Sequence, residues 1–247
     1  MEKHWFEKAA SHMGDAYLNY SFTKGTEQEV SFLIKALDLK SGMKLLDVGC
    51  GPGRHSHLFA REGINVLGID ISEEFINIAS SKNIYGARFE RQDARNLSLY
   101  ENFDAVISLC QGAFGLAGQP NKPVPFLDPD GEILIKMADA LVDGGRLAVS
   151  AFSAYFQMHY LENGKDTFYA DHGVNHENTT IRNMCGEEIS QELWTSCFTP
   201  RELRLFAKDA NLSVENIWSV APGKYKRSRP THTKPELLMI ARRENCS

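Results

Sequence analysis

The sequence predicts an α/β protein: a doubly wound, mostly parallel seven-stranded sheet with helices on both faces and an insertion after the fifth strand. Three observations carry this. Short, partly β-branched apolar runs alternate with helical stretches between residues 44 and 151, a glycine-rich turn follows the first run, and the last two strands have a loop but no helix between them. Alternation of strand and helix favours βαβ units with right-handed crossovers, hence parallel strands buried on both faces.

Ahead of the first strand, Val30, Leu33, Ile34 and Leu37 recur at helical spacing, and Thr26 with Glu29 reads as a capping box opening that helix. Strands are expected at residues 44–48, 65–69, 87–92, 103–109 and 146–151. From Phe152 to Phe198 the beat stops, and this aromatic-rich segment is too long for a plain connection. Thr199-Pro200-Arg201-Glu202 then offers an N-cap, a Pro at the first helical position and a Glu three residues after the cap, so a helix follows to about Asn211. Residues 214–220 and 236–241 close the chain as an antiparallel hairpin. One domain thus spans 1–247: a helical segment (1–40), a core (41–151), an insertion expected to cover the site (152–198), and a helix with a hairpin (199–247).

With 247 residues, 43% of them hydrophobic, the chain can bury a core as one domain. A formal net charge of −5 builds no basic field, which argues against nucleic acid and for a small-molecule partner. Met1-Glu2-Lys3-His4-Trp5 meets charge before any apolar run, and no uncharged apolar stretch reaches spanning length, so no export signal and no membrane partner are expected. Cys50, Cys110, Cys185, Cys197 and Cys246 are odd in number and lack C-x-x-C spacing. Reduced thiols in the cytoplasm, with no metal site, are the expectation.

The most informative stretch is Leu45-Leu46-Asp47-Val48-Gly49-Cys50-Gly51-Pro52-Gly53-Arg54, a strand entering a glycine turn that opens a helix. Such a turn lets the backbone approach a ligand, and the helix N-terminus behind it offers free N–H groups to an anion. Asp70 closes the next strand, where a carboxylate can accept both hydroxyls of an adenosine ribose. Asp93, ending the third strand before small Ala94, places an acceptor where an adenine amino group would lie. A nicotinamide dinucleotide is disfavoured. Its fingerprint wants a small residue where Arg54 stands, and the chain supplies no second mononucleotide half after Ala151.

At these residues the chain resembles the class I S-adenosylmethionine (SAM)-dependent methyltransferases, over about residues 40 to 155. The resemblance implies a sheet order of 3-2-1-4-5-7-6 with the last strand antiparallel. It implies a SAM site formed by Gly49, Cys50, Gly51, Asp70, Ile71, Asp93 and Ala94, and it implies that Cys110 and Gln111 border the methyl group. The implied reaction is in-line transfer to a small-molecule acceptor. A SAM-binding sensor without catalysis and an RNA-modifying enzyme stay open beside it.

A sulfonium methyl is already activated, so the site must mainly orient the acceptor and exclude water, and no catalytic residue is assigned. His172 and His176 are candidates for acid–base work or for simple loop hydrogen bonding. Aromatic side chains of the insertion, including Tyr155, Tyr160, Tyr169 and Trp194, either line an acceptor pocket or form a satellite core. Trp5, Phe6, Tyr17, Tyr20 and Phe22 either fold over the cofactor or simply pack. Lys224, Lys226, Arg227, Arg229 and Lys234 crowd one loop without an acid, which suits an anionic acceptor or merely a solvated surface.

Overall fold

The computed structural model describes residues 4–99, 101–110, 112–117, 128–161 and 166–244. Its parallel strands are β1 (Lys44–Val48), β2 (Asn65–Asp70), β3 (Ala87–Arg91), β4 (Phe103–Ser108) and β5 (Leu141–Ser153). β1 pairs with β2 and β4, β2 with β3, and β4 with β5, all parallel. β10 (Glu236–Arg243) lies antiparallel between β5 and β9 (Leu212–Val220). Counting β9 and β10 as the sixth and seventh strands of the core, the order is 3-2-1-4-5-7-6.

Successive β1 side chains face opposite layers, as strand geometry requires. Leu46 and Val48 join a core with α5 (Pro129–Asp139) and α7 (Pro200–Asp209). Leu45 joins a second core with α2 (Thr26–Ala36) and α3 (Arg54–Arg61). α4 (Glu73–Ser81) follows β2, and α1 (Trp5–Met13) packs Ala9, Ala10 and Met13 against its Phe75.

The insertion carries α6 (Ala154–His159) and three strands, β6 (Asp166–Tyr169), β7 (Val174–Arg182) and β8 (Glu188–Phe198). These form an antiparallel meander hooked to the sheet by parallel pairing of Cys197 and Phe198 with Phe152 and Ser153 of β5. The Thr199 cap stands as expected: it accepts from the Glu202 N–H while the Glu202 carboxylate accepts from the Thr199 N–H.

Two local expectations are corrected. The Thr26–Glu29 capping box does not form, because Gly25, at φ 99°, is the N-cap and Glu29 is drawn into a buried ion pair with Arg54. β5 begins at Leu141 rather than 146, since a bulge opposite Phe103 and Ala105 lets the Gly144–Gly145 segment stay in the ladder. No helix among the described residues is long and apolar enough to cross a membrane.

Candidate cofactor and acceptor site

The carboxyl ends of β1, β2 and β3 meet around the glycine turn. Gly49 and Cys50 both donate to the Ile69 carbonyl, at 2.8 and 2.9 Å, which pins the turn to β2. At φ 75°, Gly49 also has no room for a side chain, because an added Cβ would stand 2.1 Å from the Gly112 carbonyl carbon. Only glycine permits both the left-handed backbone and this approach.

Asp70 is 3% exposed and serves as the clasp of the turn. One of its oxygens accepts the Gly51 N–H at 2.9 Å and the other the Ser72 N–H at 2.8 Å. Burial pushes its carboxyl up to about 6 against the pull of these donors. Each oxygen keeps a lone pair for a further donor. Asp93 accepts from the backbone N–H and the guanidinium of Arg95, with Nη2 at 2.6 Å. Burial raises the Asp93 carboxyl, but these hydrogen bonds outweigh it and hold the group below the usual carboxylate range.

A cavity opens here, and Gly49, Asp70, Ile71, Asp93 and Ala94 line it. Gly51 and Cys50 stand outside its lining. Cys50 turns into the core, where a Cβ built on Gly68 would fall 2.9 Å from its sulfur. Cys110, at φ 53°, lies in a separate polar cluster, and Gln111 lies outside the described residues.

Sequence reasoning missed Arg95, Leu116 and Ile133 in the lining, and His4, whose Nε2 meets the Leu116 carbonyl at 3.1 Å. None of them sits in a motif. Of the N-terminal aromatic residues, Phe6 lines the cavity, whereas Tyr17 packs on Phe75 at 5.0 Å between ring centroids.

The second cluster lies between α2, α3 and the loop joining β9 to β10. Glu29 is fully buried and binds three elements together: its Oε2 takes Arg54 Nη1 at 3.0 Å and His55 Nε2 at 2.7 Å, and its Oε1 takes the Gly223 N–H at 2.6 Å. Arg54 Nη2 also donates to Cys110 Sγ at 2.8 Å. Burial and the Arg54 charge push His55 down to about 4, so it donates to Glu29 as a neutral ring. Glu29 stays ionised despite its burial, through that hydrogen bond and the Arg54 charge.

Ligand atoms of Glu29, His55 and Cys110 lie within 4.8 Å of one another, the spacing of a metal site. The Arg54 guanidinium already stands among them and supplies the positive charge that an ion would bring.

His172 and His176 belong to the meander and do not line the cavity. His176 stacks on Trp194 with ring centroids 3.8 Å apart, and Tyr169 packs against the same Trp194 at 5.9 Å. Among the described residues no insertion residue lines the cavity; in α6 the rings of Phe156 and Tyr160 lie 4.5 Å apart. In the basic loop, Lys224, Lys226, Arg227 and Arg229 are exposed, and Arg227 lies over Trp218 at 5.8 Å.

A family model described as a methyltransferase domain matches residues 39–201. The chain is 37% identical over 100 residues to phosphoethanolamine N-methyltransferase 1 of Triticum aestivum, which covers 38% of this chain but only 19% of that protein's length. It is 24% identical over 205 residues to the dTDP-3-amino-3,6-dideoxy-alpha-D-glucopyranose N,N-dimethyltransferase of Streptomyces fradiae, covering 72% of this chain and 77% of that one. The structure of the CcbJ methyltransferase from Streptomyces caelestis superposes with a TM-score of 0.77 at 17% identity, over 99% of this chain and 100% of that one. The glycine turn, the acids at successive strand ends, the sheet order and the matching family model agree: the chain belongs to the methyltransferase-domain family and is a SAM-dependent methyltransferase of class I architecture.

Proposed function

We propose that the chain transfers the methyl group of SAM to a small-molecule acceptor by in-line displacement, using the cavity at the carboxyl ends of β1, β2 and β3 for the cofactor. The observation that carries this is Asp70: a buried carboxylate lining the cavity, tied to the turn by two N–H donors, with one lone pair per oxygen left for ribose hydroxyls. Asp93 and Ala94 would hold the adenine, and the Gly49–Gly51 turn the amino-acid end, where a side chain on Gly49 would not fit. SAM supplies an activated methyl group on a sulfonium. The protein's part is to orient the acceptor and keep water out, and Phe6 and His4 close the cavity from the N-terminal side.

The acceptor in this reading is small and carries an anionic group. The loop with Lys224, Lys226, Arg227 and Arg229 is tied to the polar cluster at Gly223 and reaches α6 through His232, whose ring lies 5.0 Å from that of His159. That placement puts its positive potential along the carboxyl edge. The two relatives named above carry the names of phosphorylated small amines, which supports the same reading. Free thiols at Cys50, Cys110, Cys185 and Cys197 suit a reducing, cytoplasmic setting.

Calorimetric titration of the purified protein tests the cofactor assignment. SAM and S-adenosylhomocysteine (SAH) are expected to bind and to compete with each other. Binding of neither, or displacement of SAM by NADH, would overturn it.

A further inference from the structure

One wall of the cofactor cavity is neither strand nor helix: Gly112, Ala113, Leu116 and Ala117, in the segment after β4, line it. No ladder sets the course of such a segment, so its backbone polar groups must find partners one by one. Two of its N–H groups are met nearby, Leu116 by the Ala113 carbonyl at 3.2 Å and Phe114 by the Ser108 hydroxyl at 3.4 Å. Two more go to a single side chain. Asp130 Oδ1 accepts the Gly115 N–H at 2.7 Å and the Ala117 N–H at 3.3 Å.

Asp130 lies in the first turn of α5, where the Asp128 side chain caps its N–H at 2.9 Å, and it is 1% exposed. The other buried residues of that helix, among them Ile133, Leu134 and Met137, are uncharged and fill the core. Burial pushes the Asp130 carboxyl up to about 6, and the Asp128 charge adds to this, while Ser196, Gly115 and Ala117 pull it down. Its remaining oxygen, Oδ2, accepts the hydroxyl of Ser196, in β8 of the insertion, at 2.6 Å.

Ser196 closes a second path between the same parts. Its N–H donates to the Gly115 carbonyl at 2.8 Å, so Gly115 and Ser196 are bonded to each other as well as to Asp130. Phe114 stacks on Phe198, two residues further along β8, with ring centroids 4.8 Å apart. Ile133, one turn along α5 from Asp130, lines the cavity itself. One buried carboxylate thus joins α5, the cavity wall and the insertion.

We propose that Asp130 is a positioning residue for the cofactor, one that seats the cavity wall at residues 113–117 and, through Ser196, ties the insertion to the state of the cavity. The proposal rests on the methyl-transfer reading above. A cofactor packed against Ala113, Leu116 and Ala117 holds the wall where Asp130 sets it. The same contact fixes Gly115 and, with it, Ser196 and the end of β8. Such coupling is reciprocal: what steadies the wall steadies the insertion, and the reverse.

The test is SAH calorimetry on the whole chain, together with hydrogen exchange of SAH-free and SAH-loaded protein. Wild type is titrated first; failure of SAH to bind overturns the cofactor reading and this proposal with it. Asp130→Ala leaves the Gly115 and Ala117 N–H groups without their acceptor, and SAH is expected to bind roughly 10-fold more weakly. Asp130→Asn is expected to bind SAH nearly as wild type does, since its amide oxygen still accepts both N–H groups and its nitrogen donates to the Ser196 oxygen. Rescue by this neutral isostere separates positioning from charge. In wild type, SAH is expected to slow exchange at the Ser196 and Cys197 amides about 10-fold. Ser196→Ala, which leaves the wall on Asp130, is expected to keep SAH binding and to reduce that slowing. This arm decides the matter should Asp130→Ala fold poorly. Wild-type SAH affinity in folded Asp130→Ala, or no rescue by Asp130→Asn, would overturn the proposal alone. So would SAH-induced slowing that is absent from wild-type β8 or unchanged in Ser196→Ala.

Discussion

At the β1–β2–β3 half of the carboxyl edge, Asp70 and Asp93 take their hydrogen bonds from the adjoining turn and from residues two positions further along the chain. At the β4–β5–β10 half, Glu29, Arg54, Cys110, Tyr225 and Glu236 come from five separate elements. The first half is a rigid, locally satisfied cradle, suited to a cofactor of fixed shape. The second is a buried polar cluster assembled from distant parts of the chain, with exposed cations on the adjoining loop.

The sharpest way to break that contrast is Gly49→Ala. The added methyl meets Gly112 backbone at 2.1 Å in a left-handed conformation, so one or the other segment must move. SAH binding is expected to fall below detection, with stability reduced by about 3 kcal/mol or more in a denaturant melt. Retained SAH affinity would show that the cradle is not built on this contact.

Asp70→Ala comes next. Loss of the ribose acceptor should weaken SAH by about 1–3 kcal/mol in calorimetry, roughly 5- to 150-fold. The same group sets a pH dependence. Its carboxyl is raised in the folded protein to about 6, so its contribution to folding is full at low pH and is lost as pH rises through about 6. SAH binding runs the opposite way, since the carboxylate is the better acceptor for two hydroxyls. Affinity should drop as pH falls below about 6, and Asp70→Asn should flatten that limb.

On the acceptor half the expected effects are smaller and depend on salt. Arg227→Glu with Arg229→Glu should leave SAH affinity unchanged and lower kcat/KM for an anionic acceptor most at low ionic strength, the difference shrinking as salt is added. Wild-type kinetics at low salt would show that these cations do not meet the acceptor.

The same contrast explains what was legible in the sequence. Gly49, Asp70, Asp93 and Ala94 announce themselves because strand ends and glycine turns have local signatures, and Ile71 came with the family resemblance; these five line the cavity, whereas Cys50, Gly51 and Cys110, named with them, do not. The strand order of the core came with the family resemblance, and β10 lies beside β5 with β9 outside it as that order implies. Glu29 was misread as a capping residue: its spacing from Thr26 is that of a capping box, and only the fold brings Arg54 and His55 to it. His4 and Arg95 carry no motif at all, and their places at the cavity arise from packing, across more than one hundred residues in the case of His4 and Leu116. The insertion was recognised by the loss of alternation, but its antiparallel meander was not, because β6, β7 and β8 lack a clean period-two pattern.

The central claim is that this chain moves a methyl group from SAM to a small molecule. Its most direct test is to incubate the protein with methyl-labelled SAM and a cell extract, and to follow label into the small-molecule, RNA and protein fractions. Label is expected in the small-molecule fraction, together with SAH, and is expected to be lost with Asp70→Ala. A folded, SAM-binding wild-type protein that yields no SAH, or that labels only RNA or protein, would contradict the account.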